Sequence, residues 1–178
     1  DELLRWIREG KVWCVLLGTP CTPHSQARTR GSHTSAEYKS ALQCTLFTCR
    51  VVELCAELHL SFLVENPASS RLWRHPRLLR SLRLGTAEFV DFDMCMFGTA
   101  WKKPTRVATN IRGAASLSRR CLGKLRHVLL QGTVQDSSGQ SRWRTSYAAT
   151  YPPDFCRAVS RLLTCNAPKS AWRRRLEA

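Results

Sequence analysis

The chain has 178 residues, 43% of them hydrophobic, which is enough to fill one compact core and excludes a disordered or collagen-like polymer. Its 28 basic residues outweigh 13 acidic ones, and the resulting +15 charge calls for an anionic partner, nucleic acid first. No apolar stretch is long enough to span a bilayer, so no membrane partner is expected, and the acidic, interrupted start DELLRWIREG does not read as a signal peptide.

The first element is an amphipathic helical turn over residues 1–9, followed by a buried strand over 11–17 that ends at Gly18. After a loop rich in Thr, Pro, Ser and Gly, the residues Tyr38, Leu42, Leu46, Cys49, Val52 and Ala56 recur at threes and fours, which predicts a long helix over 35–59. A short buried strand at 61–64 then stops at Glu65-Asn66-Pro67. Strand, long helix and strand in this order imply a parallel sheet, in which function collects beyond the carboxyl ends of the strands, here the loops 18–25 and 65–69.

Next, SSRLWRHPRLLRSLRLG predicts a serine-capped helix broken near His75-Pro76, with an apolar seam of Leu72, Leu78, Leu79 and Leu82 and arginines at every third position from Arg71 to Arg83. The runs 88–97 and 106–110 read as two strands joined by a short basic turn, hence an antiparallel pair, with Asp91 and Asp93 facing solvent on an edge strand. Beyond residue 110 the pattern weakens to a strand at 127–131, a polar loop QDSSGQS, and a helix over 154–163 behind Pro152-Pro153. The tail after Trp172 carries Arg173 to Arg175, a composition shared by nuclear addresses and by frayed ends. The expected fold class is α/β: a partial Rossmann-like sheet of parallel strands with an antiparallel pair near 88–110, formed by residues 1–110, and a basic, irregular extension over 111–178.

Nine cysteines, an odd number, argue for reduced thiols, and Cys14, Cys49 and Cys55 lie in apolar runs where cysteine packs as a small hydrophobe. No C-x-x-C pair occurs. Cys21 and His24 have C-x-x-H spacing with His33 nearby, and Cys121 stands near His127, but neither group supplies four ligands, so no metal is expected.

Three loops carry candidate chemistry: GTPCTPHSQAR at 18–28, ENPASSRLW at 65–73 and CMFGTAWKKPTRVATN at 95–110. Cys21 follows a proline at a strand's carboxyl end, a position suited to a nucleophile, and His24 and Arg28 follow closely enough to place positive charge beside its sulfur. Glu65 on the neighbouring strand end can donate or accept a proton, and Lys102, Lys103 and Arg106 can steady a developing anion.

These motifs resemble the C5 cytosine DNA methyltransferases, in particular divergent versions found in viruses and mobile elements. Pro20-Cys21 looks like the family's nucleophile loop, Glu65-Asn66-Pro67 is similar to its Glu-Asn-Val motif, and Phe97-Gly98 with Lys102, Lys103 and Arg106 resembles its aromatic-Gly and double-arginine motif. The resemblance covers residues 11–110 and implies a methyltransferase sheet in which Cys21 adds to C6 of a flipped-out cytosine. It further implies that Glu65 holds and protonates the ring at N3, and that Arg106 contacts the pyrimidine oxygen and the thiolate. Asn66, Ser25 and Lys103 would line the substrate, Arg28, Arg71, Arg74 and Lys102 would meet DNA, and S-adenosylmethionine would supply the methyl group.

Thr22 replaces the family's usual Gln, and nothing before Lys11 supplies the Gly-rich donor loop, so the chain is expected to be the catalytic-loop half of such a fold, with little or no methyl transfer as it stands. A non-catalytic basic module, gripping phosphates with the same cations and stacking bases on Trp73, Trp101 and Trp143, accounts equally for the charge. A thiol hydrolase using Cys21 and His24 is a third reading.

Overall fold

The structure is a computed structural model and describes residues 2–21, 36–123 and 126–168. Its centre is a mixed sheet of four strands: β1 (Cys14–Gly18), β2 (Ser61–Pro67), β3 (Glu88–Asp93) and β4 (Pro104–Thr109), in the order β1-β2-β4-β3. β1 and β2 run parallel, joined by the long helix α2 (Ala36–Glu57), while β4 lies antiparallel to both β2 and β3. The chain is therefore α/β, with the parallel pair and antiparallel pair that the sequence predicts.

Alternation along β2 divides the core into two layers. Phe62 and Val64 face α1 (Glu2–Arg8), α2 and α3 (Pro76–Leu84), joining Leu4, Ile7, Val51, Val52, Cys55, Leu78 and Leu82. Leu63 faces the other way, with Val90, Phe92 and Val107, against Phe155, Val159 and Leu162 of the last helix. That helix, α5 (Pro153–Asn166), begins at the second proline of the pair and runs three residues past the expected end, and it makes residues beyond 110 a covering layer of the same sheet. Between β4 and α5 lie a hairpin, β5 (Thr133–Gln135) with β6 (Ser141–Trp143), and the short helix α4 (Arg144–Tyr147).

Several boundaries differ from expectation. β1 begins at Cys14, three residues later than predicted. β2 runs on through Glu65 and Asn66 to Pro67, because Gly18 on one side and Val107 on the other continue its ladder opposite Glu65. The run 88–97 is a strand only to Asp93; Met94–Phe97 is a 3-10 turn closed by Gly98 at φ 91, a left-handed conformation that favours glycine. Residues 127–131 form no strand. On α2 the fully buried side includes Thr45 and Thr48, whose hydroxyls donate to the carbonyls of Ala41 (3.0 Å) and Cys44 (2.9 Å), while Leu42 and Leu46 are only half-buried.

The break at His75-Pro76 is where the sequence places it. Ser70 caps the 3-10 turn Arg71–Arg74, His75 accepts the Leu78 N–H through Nδ1 at 3.4 Å, and Pro76 opens α3. Leu72, Leu78 and Leu82 are buried and the five arginines are exposed. Asp93 does not face solvent: it is 2% exposed, its Oδ2 accepting the Cys121 N–H at 2.8 Å. Asp91 is half-buried and accepts two bonds from Arg106 (2.6 and 2.9 Å) and one from Arg120 (3.0 Å).

Candidate active site

The parallel register of β1 and β2 sets Gly18 opposite Glu65, and so brings the Thr19-Pro20-Cys21 exit and the Glu65-Asn66 pair to one sheet edge. Asn66, 1% exposed, points to the α2 side and donates from Nδ2 to the Thr19 carbonyl at 2.6 Å. The Thr19 hydroxyl is in turn 2.8 Å from that of Thr48 on α2. These two bonds fix the backbone two residues before Cys21, which is half-buried. The carboxyl end of β2 is held by Trp73, whose indole N–H donates to the Pro67 carbonyl at 2.8 Å.

Glu65 points to the α5 side and is 6% exposed. Its Oε2 accepts the Tyr151 hydroxyl at 2.7 Å, whereas Oε1 is buried with no hydrogen-bond partner and has Lys103 Nζ at 4.0 Å. Lys103 itself donates to the Ala148 carbonyl at 3.1 Å, just ahead of Tyr151. Burial above all, then the neighbouring Glu65 carboxylate and the bond to it, with lesser contributions from Cys156 and Cys21, push the Tyr151 phenol well above its ordinary value. Tyr151 therefore stays a donor at any working pH. The close approach of the phenol suits a glycine at position 18: a Cβ there would lie 2.9 Å from the Tyr151 hydroxyl oxygen.

The structure brings Cys21, Glu65, Asn66 and Lys103 to one region and leaves Arg106 out of it. Arg106 is paired with Asn66 across the β2–β4 ladder, one position out of phase with Glu65, so its guanidinium projects from the opposite face of the sheet. There it lies 5.0 Å over the Phe89 ring and is held by Asp91, whose carboxyl is kept below its usual range by the bonds from Arg106 and by Arg120. Lys103, in phase with Thr105 and Val107, takes the place beside Glu65 expected of a cation. Arg71 and Arg74 are exposed on the turn after β2, and Lys102 lies 3.9 Å from Asp93. Ser25, Arg28 and His24, and the tail from Trp172, fall outside the described residues. Of the tryptophans considered for base stacking, Trp73 is buried, Trp101 half-buried and Trp143 exposed.

Tyr151 carries no motif that marks it in the sequence. The only signal is its place one residue before the Pro152-Pro153 that opens α5, the segment from which a side chain returns to the sheet edge. By contrast, burial pushes the Cys14 and Cys55 thiols up to about 12 and about 11, which fits inert core cysteines.

Two cavities flank β1. One of about 430 Å³ lies between β1 and α5 and includes Trp13, Tyr151, Phe155 and Ser160; the other, about 400 Å³, lies between β1 and α2 and includes Thr19, Pro20, Gln43 and Thr48. Among the described residues, neither is lined by a carboxylate or a Gly-rich turn able to grip the ribose and amino-acid ends of S-adenosylmethionine, so the residues present do not fit that donor. No protein-family model, no curated protein and no solved structure matches this chain.

Proposed function

We propose that the edge formed by β1 and β2 is the base-binding and nucleophile half of a DNA cytosine-C5 methyltransferase-like site. The observation that carries this reading is Glu65: a buried carboxylate beside the Cys21 loop, anchored through one oxygen and with the other lacking a hydrogen-bond partner. Such an oxygen suits the nitrogen edge of a pyrimidine. An extruded base would enter with its ring edge toward Oε1 and C6 toward Cys21.

Cys21, its thiol proton lost to solvent, forms the S–C6 bond. The C5–C6 π pair shifts to C4–C5, and the displaced C4–N3 pair ends on N3, which takes a proton that Glu65 has first picked up from solvent on Oε1. Tyr151 holds the carboxyl in place through Oε2, and Lys103 faces the negative charge left on Oε1. Asn66 acts on the nucleophile through the Thr19 carbonyl. S-adenosylmethionine is the donor that the family resemblance implies, and no step is assigned to it here because the described residues do not fit it.

Addition to C6 needs no methyl donor, so it can be tested directly. The full chain is incubated with an oligonucleotide carrying 2-pyrimidinone in place of cytosine, and covalent adduct is read on a denaturing gel. Wild type is expected to form adduct, Cys21→Ser none, and Glu65→Gln about 10²- to 10⁴-fold less rapidly. Adduct in Cys21→Ser at the wild-type rate sinks the nucleophile. DNA binding without any adduct favours the second reading, a non-catalytic module, which is supported by a cleft of about 590 Å³ lined by Arg112, Arg119, Arg157 and Arg161 with a single carboxylate, Asp154.

A further inference from the structure

Away from the Glu65 edge, three chain segments meet behind the end of β3. Cys95 sits in the turn Met94–Phe97 and is buried; Cys121 and His127 come from the long connection that follows β4 and are half-exposed. Their ligand atoms all lie within 4.8 Å of one another, with Cys121 Sγ 3.6 Å from His127 Nε2. We propose that Cys95, Cys121 and His127 bind a zinc ion that ties this connection to the sheet.

The geometry suits that ion. Tetrahedral zinc with Zn–S of about 2.3 Å and Zn–N of about 2.0–2.1 Å separates sulfur from nitrogen by about 3.6 Å. Two thiolates and an imidazole also form a set that selects zinc over the hard cations magnesium and calcium. The backbone assembles the ligands without help from the ion. The Asp93 N–H donates to the Arg119 carbonyl at 2.9 Å, the Cys121 N–H donates to Asp93 Oδ2 at 2.8 Å, and the Val128 N–H donates to the Ala100 carbonyl at 2.8 Å. The fourth position is left to water, and the half-exposed Cys121 and His127 give the ion a way in. Binding releases the two thiol protons to solvent.

Sequence spacing conceals the group, because Cys95 stands 26 positions before Cys121 and belongs to a different motif. The site stands apart from the Cys21 reading and survives its failure.

The test is metal analysis of the full chain, expressed in zinc-supplemented medium and purified without chelator. One equivalent of zinc is expected in wild type and in Cys165→Ser, an exposed cysteine outside the group, and background zinc in Cys121→Ser and His127→Asn. Wild type stripped with a chelator is then titrated with cobalt(II), which should give thiolate-to-cobalt charge-transfer absorption that saturates at one equivalent and is displaced by zinc. The titration needs no variant and stands even if the substitutions prevent folding. Folded wild type that takes up neither ion, or zinc that remains stoichiometric in the double variant Cys95→Ser, Cys121→Ser, overturns the proposal.

Discussion

Gly18 and Tyr151 show how one missing methyl group shapes the candidate site. The tyrosine hydroxyl reaches Glu65 only because nothing projects from residue 18, and Gly18→Ala would force it away from Oε2. Losing a hydrogen bond to a charged group costs about 1.5–3 kcal/mol, roughly a 10- to 100-fold fall in rate if the bond holds Glu65 for catalysis. Tyr151→Phe should match Gly18→Ala in the pyrimidinone adduct assay, and the double variant should be no slower than either single one. Additive losses would show that the two residues act separately. At this scale the sequence is informative about Cys21 and Glu65, each marked by a motif, and silent about Tyr151, which reaches the site through tertiary packing alone. The choice between Lys103 and Arg106 was in principle readable: strand parity decides which basic residue shares a face with Glu65, but it needs the β2–β4 register, and short apolar runs do not reveal register.

Among the elements, the ones the sequence predicts best are those with strong local signals: the long period of α2, the serine cap and proline break before α3, and the proline pair opening α5. Those it misplaces were decided by neighbours. β2 continues through a charged and an amide residue because ladder partners stand on both sides, and residues 127–131 form no strand despite their apolar content, the Val128 N–H donating instead to the Ala100 carbonyl. The junction of α3 with β3 is similarly set by a neighbour. Gly85 closes the helix against Phe62, and a Cβ there would sit 2.6 Å from Cε1 and 2.7 Å from Cζ of that fully buried ring. Gly85→Ala is expected to destabilise the fold by about 1–3 kcal/mol through overpacking. Urea unfolding should show a lower midpoint at unchanged slope; an unchanged midpoint would mean that the ring has room to move.

For the whole molecule, the +15 charge is the property most easily read from composition, and the structure adds where part of it gathers. Arg112, Arg119, Arg157 and Arg161 line one cleft against the α5 layer, in the part of the chain that composition marks as basic but periodicity does not resolve. DNA affinity should fall steeply with salt, and Arg161→Gln should lessen the slope of log K against log salt by about 0.7–0.9, the share of one phosphate contact. A slope that does not change would place the nucleic acid on another face, such as the exposed arginines of α3.

The bond between Glu65 and Tyr151 also sets an order of events during synthesis. The two residues lie 86 positions apart, so the carboxylate leaves the ribosome long before the hydroxyl that orients it. Through that interval β1, β2 and the antiparallel pair can form, yet the Glu65 pocket stays unfinished until α5 docks. A nascent chain stalled before residue 151 would therefore carry the motifs for base chemistry in a fold that cannot hold its carboxylate still.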